Sequence, residues 1–319
     1  MTLERIDPEL RAALAIVGGS FPPTITPELV PFMRRSYASG PREELLAERA
    51  VDVRDLSFAA ADGVALGASI VSPRGTDERT ALAGILAFHS GGLMFGDRFS
   101  GMDVMLSMVE ELGLRLITID YRLAPEHPYP VPAEDCYAAL EWVVHAAAEL
   151  GVDPRRLLIC GASAGAGLAA AVALLARDRD GPRCAGLLLD YPMLDDRCAT
   201  ASMGQFDGVG VWDRVSNMTG WRAYLGERAG TDEVPVSAAP GRAEDLRGLP
   251  PTYLDVGTAE VFRDETVAFA ARLWAAGVPT ELHVWPGAFH ACDIFAPHTT
   301  IARAMIRTRR EWVERMLVG

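Results

Sequence analysis

Arg156-Leu157-Leu158-Ile159-Cys160-Gly161-Ala162-Ser163-Ala164-Gly165-Ala166-Gly167 is the stretch whose reading decides the fold. After the breaker Pro154, residues 156–160 are mostly apolar and read as a short buried strand. Leu168 to Ala176 is rich in Ala and Leu, which lose little side-chain freedom in a helix. Between strand and helix the chain must reverse within a few residues, with Ser163 at the apex. In that setting G-x-S-x-G carries chemistry. Gly161 and Gly165 let the neighbouring strand and helix approach, and the Ser163 hydroxyl is pushed into a cleft. The helix then aims its positive end at the serine, where acyl transfer would build negative charge.

The same residues contain a rival. Gly161, Gly165 and Gly167 spell G-x-x-x-G-x-G, a spacing of dinucleotide-binding turns. Two features oppose it. The turn lies midway along the chain rather than after the first strand, and the chain contains no lysine. Without lysine there is no Tyr-x-x-x-Lys pair, no P-loop and no pyridoxal Schiff base.

Composition narrows the field further. The chain has 319 residues, 50% of them apolar and 23% charged, enough for one large core or a core with a lid. Its net charge of −13, with no long arginine run, argues against nucleic acid. The apolar run Ala12 to Val17 is too short for a signal core, and no stretch has the length of a membrane span. Cys136, Cys160, Cys184, Cys198 and Cys292 are scattered without metal-ligand spacing, with Cys160 and Cys184 in apolar runs. A reduced, cytoplasmic protein is expected. His283 and His290 lack the i, i+4 spacing of a helical zinc site, so no metal is expected.

Working outward from the turn, strands and helices alternate. Val51 to Phe58 alternates apolar and polar residues and turns at Asp62-Gly63 into Val64 to Val71, a hairpin. Further strands are expected at Ala83 to Phe88, Leu114 to Asp120, Leu157 to Cys160, Ala185 to Asp190, Thr252 to Val256 and Thr280 to Trp285. Helices are expected at Asp97 to Leu112, Ala133 to Leu150, Phe262 to Ala276 and Thr300 to Leu317. Continuous apolar strands between helices imply a mostly parallel sheet covered on both faces.

Two segments break this rhythm. Residues 1–50 hold helical pieces, Asp7 to Val17 and Pro27 to Ala38, separated by Phe21-Pro22-Pro23. Tyr191 to Pro250 runs for about sixty residues without a core strand, far beyond an ordinary connection. It carries Met203, Phe206, Trp212, Met218, Trp221 and Tyr224. A helix packed on the core is the plain reading; a lid over the strand ends, built with the N-terminal helices, is the sharper one. The expected division is 1–50 for cap helices, 51–190 and 251–319 for the two parts of the core, and 191–250 for the cap insertion.

A serine becomes nucleophilic only when a base takes its proton and an acid holds that base. Of six histidines, His89 ends a strand in a Gly-rich turn and reads as a buttress, while His127, His145, His283 and His298 sit in a Pro-rich turn or within regular elements. His290 lies on the loop after the last strand and meets the order Ser…acid…His. The acid belongs to the loop after Thr252 to Val256. Asp255 falls inside the strand, Asp264 one turn into the helix, and Glu260 on the loop itself; Glu260 is the choice and Asp264 the alternative. Backbone N–H groups of Gly91, Gly92 and Ala164 are the candidates for holding an oxyanion.

These residues resemble the hormone-sensitive-lipase-like carboxylesterases of the α/β-hydrolase superfamily, over most of the chain. His89-Ser90-Gly91-Gly92 resembles that family's HGGG, and Asp120-Tyr121-Arg122-Leu123-Ala124-Pro125-Glu126-His127-Pro128 its DYRLAPEHP. Gly161 to Gly165 is similar to GDSAG except at one position, and Glu260 to Glu265 to DPLRDE, whose first acid is catalytic. The resemblance implies an α/β-hydrolase fold with an eight-stranded sheet and helical cap, no cofactor, often a homodimer, and hydrolysis of a small-molecule carboxylic ester. It places Glu260 as the acid and His290 as the base. Three departures stand out. Ser90 replaces a glycine that can take positive φ. Ala162 replaces an acid, removing negative charge beside the base, which should then protonate at lower pH than in relatives with the acid. Glu260 stands where Asp is usual. An amidase or lactonase on the same residues, or a silent small-molecule binder on this fold, are the alternatives. Amide, lactone and ester substrates offered side by side separate them.

Overall fold

The structure, a computed structural model, describes residues 3–18 and 21–318; the outermost ends of the first and last expected segments, and residues 19 and 20, lie outside it. Among the described residues the strands are β1 (Val51–Ala59), β2 (Ala65–Pro73), β3 (Leu82–Phe88), β4 (Arg115–Ile119), β5 (Val152–Ala162), β6 (Gly186–Asp190), β7 (Thr252–Gly257) and β8 (Thr280–Trp285). They form one 8-stranded sheet in the order β1-β2-β4-β3-β5-β6-β7-β8. β1 and β2 are the expected hairpin, running from Val51 opposite Pro73 to Ala59 opposite Ala65, and β2 pairs antiparallel with β4. The remaining neighbours are parallel, with β5 between β3 and β6.

The α-helices are α1 (Pro8–Val17), α2 (Val30–Ser36), α3 (Arg42–Leu46), α4 (Asp103–Leu112), α5 (Val131–His145), α6 (Ala147–Leu150), α7 (Ala164–Asp178), α8 (Ala201–Gln205), α9 (Arg214–Leu225), α10 (Arg263–Ala275), α11 (Cys292–Phe295) and α12 (Thr300–Leu317). Period-two alternation along the strands feeds two apolar layers. Leu86, Phe88, Ile159 and Leu189 pack with Leu168 and Val172 of α7 and Phe269 of α10. Ile85, Ala87, Leu158 and Cys160 face the other way, onto Leu106 and Val109 of α4 and Trp312 and Val313 of α12. Each fully buried aliphatic or aromatic side chain contributes about 1.5–3 kcal/mol by leaving water, so both helix layers are required. That is why these strands are apolar throughout.

Some boundaries differ from expectation. The helix expected from Asp97 begins at Asp103. Before it, Asp97 accepts from the N–H groups of Phe99 (2.9 Å) and Ser39 (2.7 Å), and Gly101 has φ 71°, so the chain turns instead. The long helix expected to end at Leu150 starts earlier, helped by Pro132 in its first turn, and is divided at Ala146. There Ala146 takes φ −93° and ψ 14°, and the His145 ring bonds the Glu141 carbonyl (2.7 Å). β5 extends back to Val152, which pairs with Leu82 across a register shift. α3 was not expected.

The two segments that precede and interrupt the alternation meet each other. The Ile25 N–H donates to Ser216 Oγ (2.8 Å), and Thr24 Oγ1 donates to Asp213 Oδ2 (2.5 Å), the residue whose other oxygen caps α9 through the Ser216 N–H (2.8 Å). Between Tyr191 and Pro250 no strand occurs among the described residues. No described helix is long and apolar enough to cross a membrane.

Candidate active site

β5 ends at Ala162 and α7 begins at Ala164, so Ser163 makes the whole turn, at φ 56° and ψ −116°. A non-glycine residue holds such angles only when its surroundings impose them. Here the Ser163 N–H donates to Asp190 O (2.9 Å), and the Ser163 carbonyl accepts from Gly167 (3.1 Å) and Met193 (3.0 Å). A Cβ on Gly165 would lie 2.1 Å from the Phe88 carbonyl oxygen, so the elbow sits tight under β3. The strain turns the side chain of Ser163, and α7 begins at the next residue.

His290 lies between β8 and α11, beside Ala291 at φ 58°. Its Nε2 is 3.0 Å from Ser163 Oγ, and its Nδ1 is 2.6 Å from Glu260 Oε2. Glu260 Oε1 accepts the Gly257 N–H (2.7 Å), which ties the carboxyl to the end of β7. A carboxylate only accepts, so the imidazole proton belongs on Nδ1, and the Nε2 lone pair faces the serine hydroxyl. Tyr191 and Phe262 meet the imidazole edge-on at 4.9 and 5.0 Å between ring centres. Burial pushes the Glu260 carboxyl above the ordinary range, while the neighbouring His290 pulls it back.

The oxyanion candidates come from two parts of the chain. Ala164 is the first residue of α7. Gly91 and Gly92 take φ 119° and 58°, followed by Leu93 at 67°. A Cβ on Gly91 would lie 1.9 Å from the Phe95 carbonyl oxygen, so that position admits only glycine. Among the described residues, the N–H groups of Gly91, Gly92 and Ala164 meet no protein acceptor. The positive φ angles fall on 91 to 93, so Ser90 is not asked for one. His89 is buried, stacks on Tyr121 at 4.2 Å between ring centres, and bonds the Ser90 carbonyl through Nδ1 (2.7 Å).

Serine, imidazole and carboxyl thus form one hydrogen-bonded line. A family model described as "alpha/beta hydrolase fold" matches residues 85–294. The esterase LipI of Mycobacterium tuberculosis is 35% identical over 79% of this chain and 77% of its own. The chain belongs to the hormone-sensitive-lipase-like carboxylesterases of the α/β-hydrolase superfamily. It is a serine carboxylesterase. Solved structures agree over nearly the whole length. A bacterial heroin esterase superposes with TM-score 0.90 at 36% identity, covering 99% of each chain. The esterase LipW of Mycobacterium marinum does so with TM-score 0.87 at 32% identity, covering 98% of this chain and 96% of its own.

In this carboxylesterase the other two acids near Glu260 are engaged elsewhere. Asp264 accepts from Arg263 Nε (2.7 Å) and from the Ser202 N–H (2.7 Å). Burial works against it, yet Arg263 and Ser202 hold its carboxyl below the ordinary range. Asp255 takes both arms of Arg309, each at 2.9 Å.

Arg309 is the feature the motifs do not disclose. It is fully buried and also bonds Asp293 Oδ2 (2.5 Å), with Asp190 Oδ1 at 3.1 Å. Asp190 carries the carbonyl that anchors Ser163, and Asp293 lies three residues past His290. One guanidinium therefore braces several loops of the site from beneath. Burial pushes the Asp190 carboxyl well above its usual range despite Arg309, and Asp255 and Asp293 add to the shift. Removing one partner from such a cluster typically costs about 3–5 kcal/mol. A sequence clue exists: Ala302, Met305, Arg309, Trp312 and Val313 share the buried face of α12, with Arg309 at a core position. Among the described residues no group of three or more His, Cys, Asp or Glu side chains could hold a metal ion.

Proposed function

We propose that this carboxylesterase cleaves short- to medium-chain or aryl esters through a Ser163–His290–Glu260 triad and an acyl-enzyme. Ser163 Oγ attacks the ester carbonyl carbon while His290 Nε2 takes its proton, and Glu260 holds the imidazolium that forms. Gly91, Gly92 and Ala164 donate N–H groups to the oxyanion of the tetrahedral intermediate. As that intermediate collapses, His290 returns the proton to the departing alkoxide oxygen. Water then attacks the acyl-enzyme with His290 as base, releasing the acid and restoring Ser163. The observation carrying this reading is the unbroken line from Ser163 Oγ through His290 to Glu260, at 3.0 and 2.6 Å.

Residues 1–50 and 191–250 act in this proposal as a cap. The support is their mutual hydrogen bonding and the placement of the Trp212 indole against Gly92, where a Cβ would lie 2.1 Å from the ring. Met203, Phe206, Trp221 and Tyr224 make the insertion apolar, which suits an uncharged acyl or aryl group over a charged one. Five free cysteine thiols suit a reducing compartment, and we place the enzyme in the cytoplasm.

The decisive experiment is labelling by a fluorophosphonate, with the adduct mapped by mass spectrometry. Modification at Ser163, slowed by ester substrate present in competition, is expected; an adduct on any other hydroxyl ends the proposal. Ala162→Asp offers a second check. Ala162 lines a cavity of about 20 Å³ together with Ser90, Asp190, Asp293 and Arg309. Negative charge added there favours the protonated imidazole. The acid limb of the kcat/KM profile should therefore move to higher pH. A profile superimposable on that of the parent enzyme would show that position 162 does not act on the base.

A further inference from the structure

The two loop glycines offer their N–H groups only if their peptide planes are held. The Gly91 N–H shares a plane with the Ser90 carbonyl, and the Gly92 N–H with the Gly91 carbonyl. The second plane is fixed within the loop, because the Gly91 carbonyl accepts from Met94 (3.0 Å) and Phe95 (3.1 Å). The first is fixed by His89 Nδ1 on the Ser90 carbonyl, at 2.7 Å. Burial holds the His89 imidazole below its ordinary range, so the ring is neutral with its proton on the nitrogen that faces this carbonyl. The first plane begins at the Ser90 Cα, whose side chain neither of these bonds holds.

Ser90 is held from outside the loop. Its Oγ shares a hydrogen bond with the Tyr37 hydroxyl, which comes from the N-terminal arm just after α2. The arm is itself fastened to the same loop region. Arg34 Nε donates to the Met94 carbonyl (2.9 Å), Ser100 Oγ donates to the Tyr37 carbonyl (2.9 Å), and the Ser39 N–H donates to Asp97 Oδ2 (2.7 Å). The Tyr37 ring stands edge-on to Phe95 and Phe21, at 5.5 and 5.7 Å between centres. Burial raises the phenol to about 12, so it remains a neutral hydroxyl that can donate or accept. A glycine at position 90 would remove this bond.

We propose that Tyr37 is a positioning residue for ester hydrolysis, holding through Ser90 the loop that presents the Gly91 and Gly92 N–H groups to the oxyanion. This rests on the oxyanion assignment made above. It makes the N-terminal arm a working part of transition-state stabilisation, beyond covering the substrate. The bond's value lies in the transition state, where charge develops on the carbonyl oxygen. Loss of the bond should therefore appear in kcat while KM stays put.

Tyr37→Phe, which keeps the ring and its packing, Ser90→Ala and the double variant test this on a short-chain aryl ester. Inhibition is measured in parallel with a trifluoromethyl ketone, which forms a tetrahedral oxyanion adduct on the serine. Each single change should lower kcat roughly 5- to 20-fold with KM within about twofold, and weaken the ketone by a similar factor. The double variant should be no worse than the more damaged single, because both remove one bond. Unchanged kcat in Tyr37→Phe, a loss confined to KM, or losses that multiply in the double variant would overturn the proposal. Ser163→Ala, run alongside, keeps the two readings apart. Turnover in Ser163→Ala would end the triad itself, whereas a dead Ser163→Ala beside a fully active Tyr37→Phe would end only the positioning role.

Discussion

Ser163→Ala is expected to lower kcat on a short-chain aryl ester by about 10⁴- to 10⁶-fold, the scale of nucleophile removal in serine hydrolases. The substitution deletes one oxygen from a residue that is 4% exposed, and His290 keeps its bond to Glu260. Backbone angles at 163 remain as strained for Ala as for Ser, because the strain comes from the Asp190, Gly167 and Met193 bonds to the main chain. Melting temperature should therefore move little while turnover collapses. A small residual rate is expected from the proposed N–H donors Gly91, Gly92 and Ala164, which would still meet a carbonyl attacked by water. Fluorophosphonate labelling should vanish in the same variant. Retention of more than about a tenth of parental turnover would be incompatible with Ser163 as nucleophile, since no triad lesion is that mild.

The extent to which this site could be read from sequence follows from how local each part is. The elbow is contiguous: strand, Gly161 to Gly165 and α7 lie in one stretch, so Ser163 is recognisable without any tertiary knowledge. His290 and Glu260 are distant from it; order along the chain and position after β8 point to His290, while position after β7 leaves Asp264 open beside Glu260. Boundaries set by remote partners are not legible. The turn at Asp97 depends on the Ser39 N–H, and the five-residue α3 is too short to be stable without tertiary packing. Tyr37 and Ser90 lie 53 positions apart, and neither an isolated Tyr nor a Ser replacing Gly announces a partner. Arg309 is intermediate. Its place on the apolar face of α12 signals a buried charge, but the three carboxylates it meets come from β6, β7 and α11.

Glu260→Gln should lower kcat/KM by about 10²- to 10⁴-fold, approaching the loss seen when a triad acid becomes its amide. The reason lies in the two bonds the carboxylate accepts. Oε1 takes the Gly257 N–H at 2.7 Å and Oε2 faces His290 Nδ1 at 2.6 Å. A glutamine has one oxygen for these two demands. If the oxygen stays on Gly257, the amide NH₂ faces His290 and forces the ring proton onto Nε2, where it can no longer take the serine proton. If the amide flips, NH₂ opposes the Gly257 N–H in a buried site, at a cost of roughly 1–3 kcal/mol for the unpaired donors. Either way the base is lost or misplaced. Asp264→Asn should instead keep kcat/KM within about threefold, because Asp264 bonds Arg263 and the Ser202 N–H and reaches neither the imidazole nor the elbow. Measuring the two variants side by side decides the acid. A collapse in Asp264→Asn with Glu260→Gln intact would invert the assignment and require the loop after β7 to rearrange before catalysis.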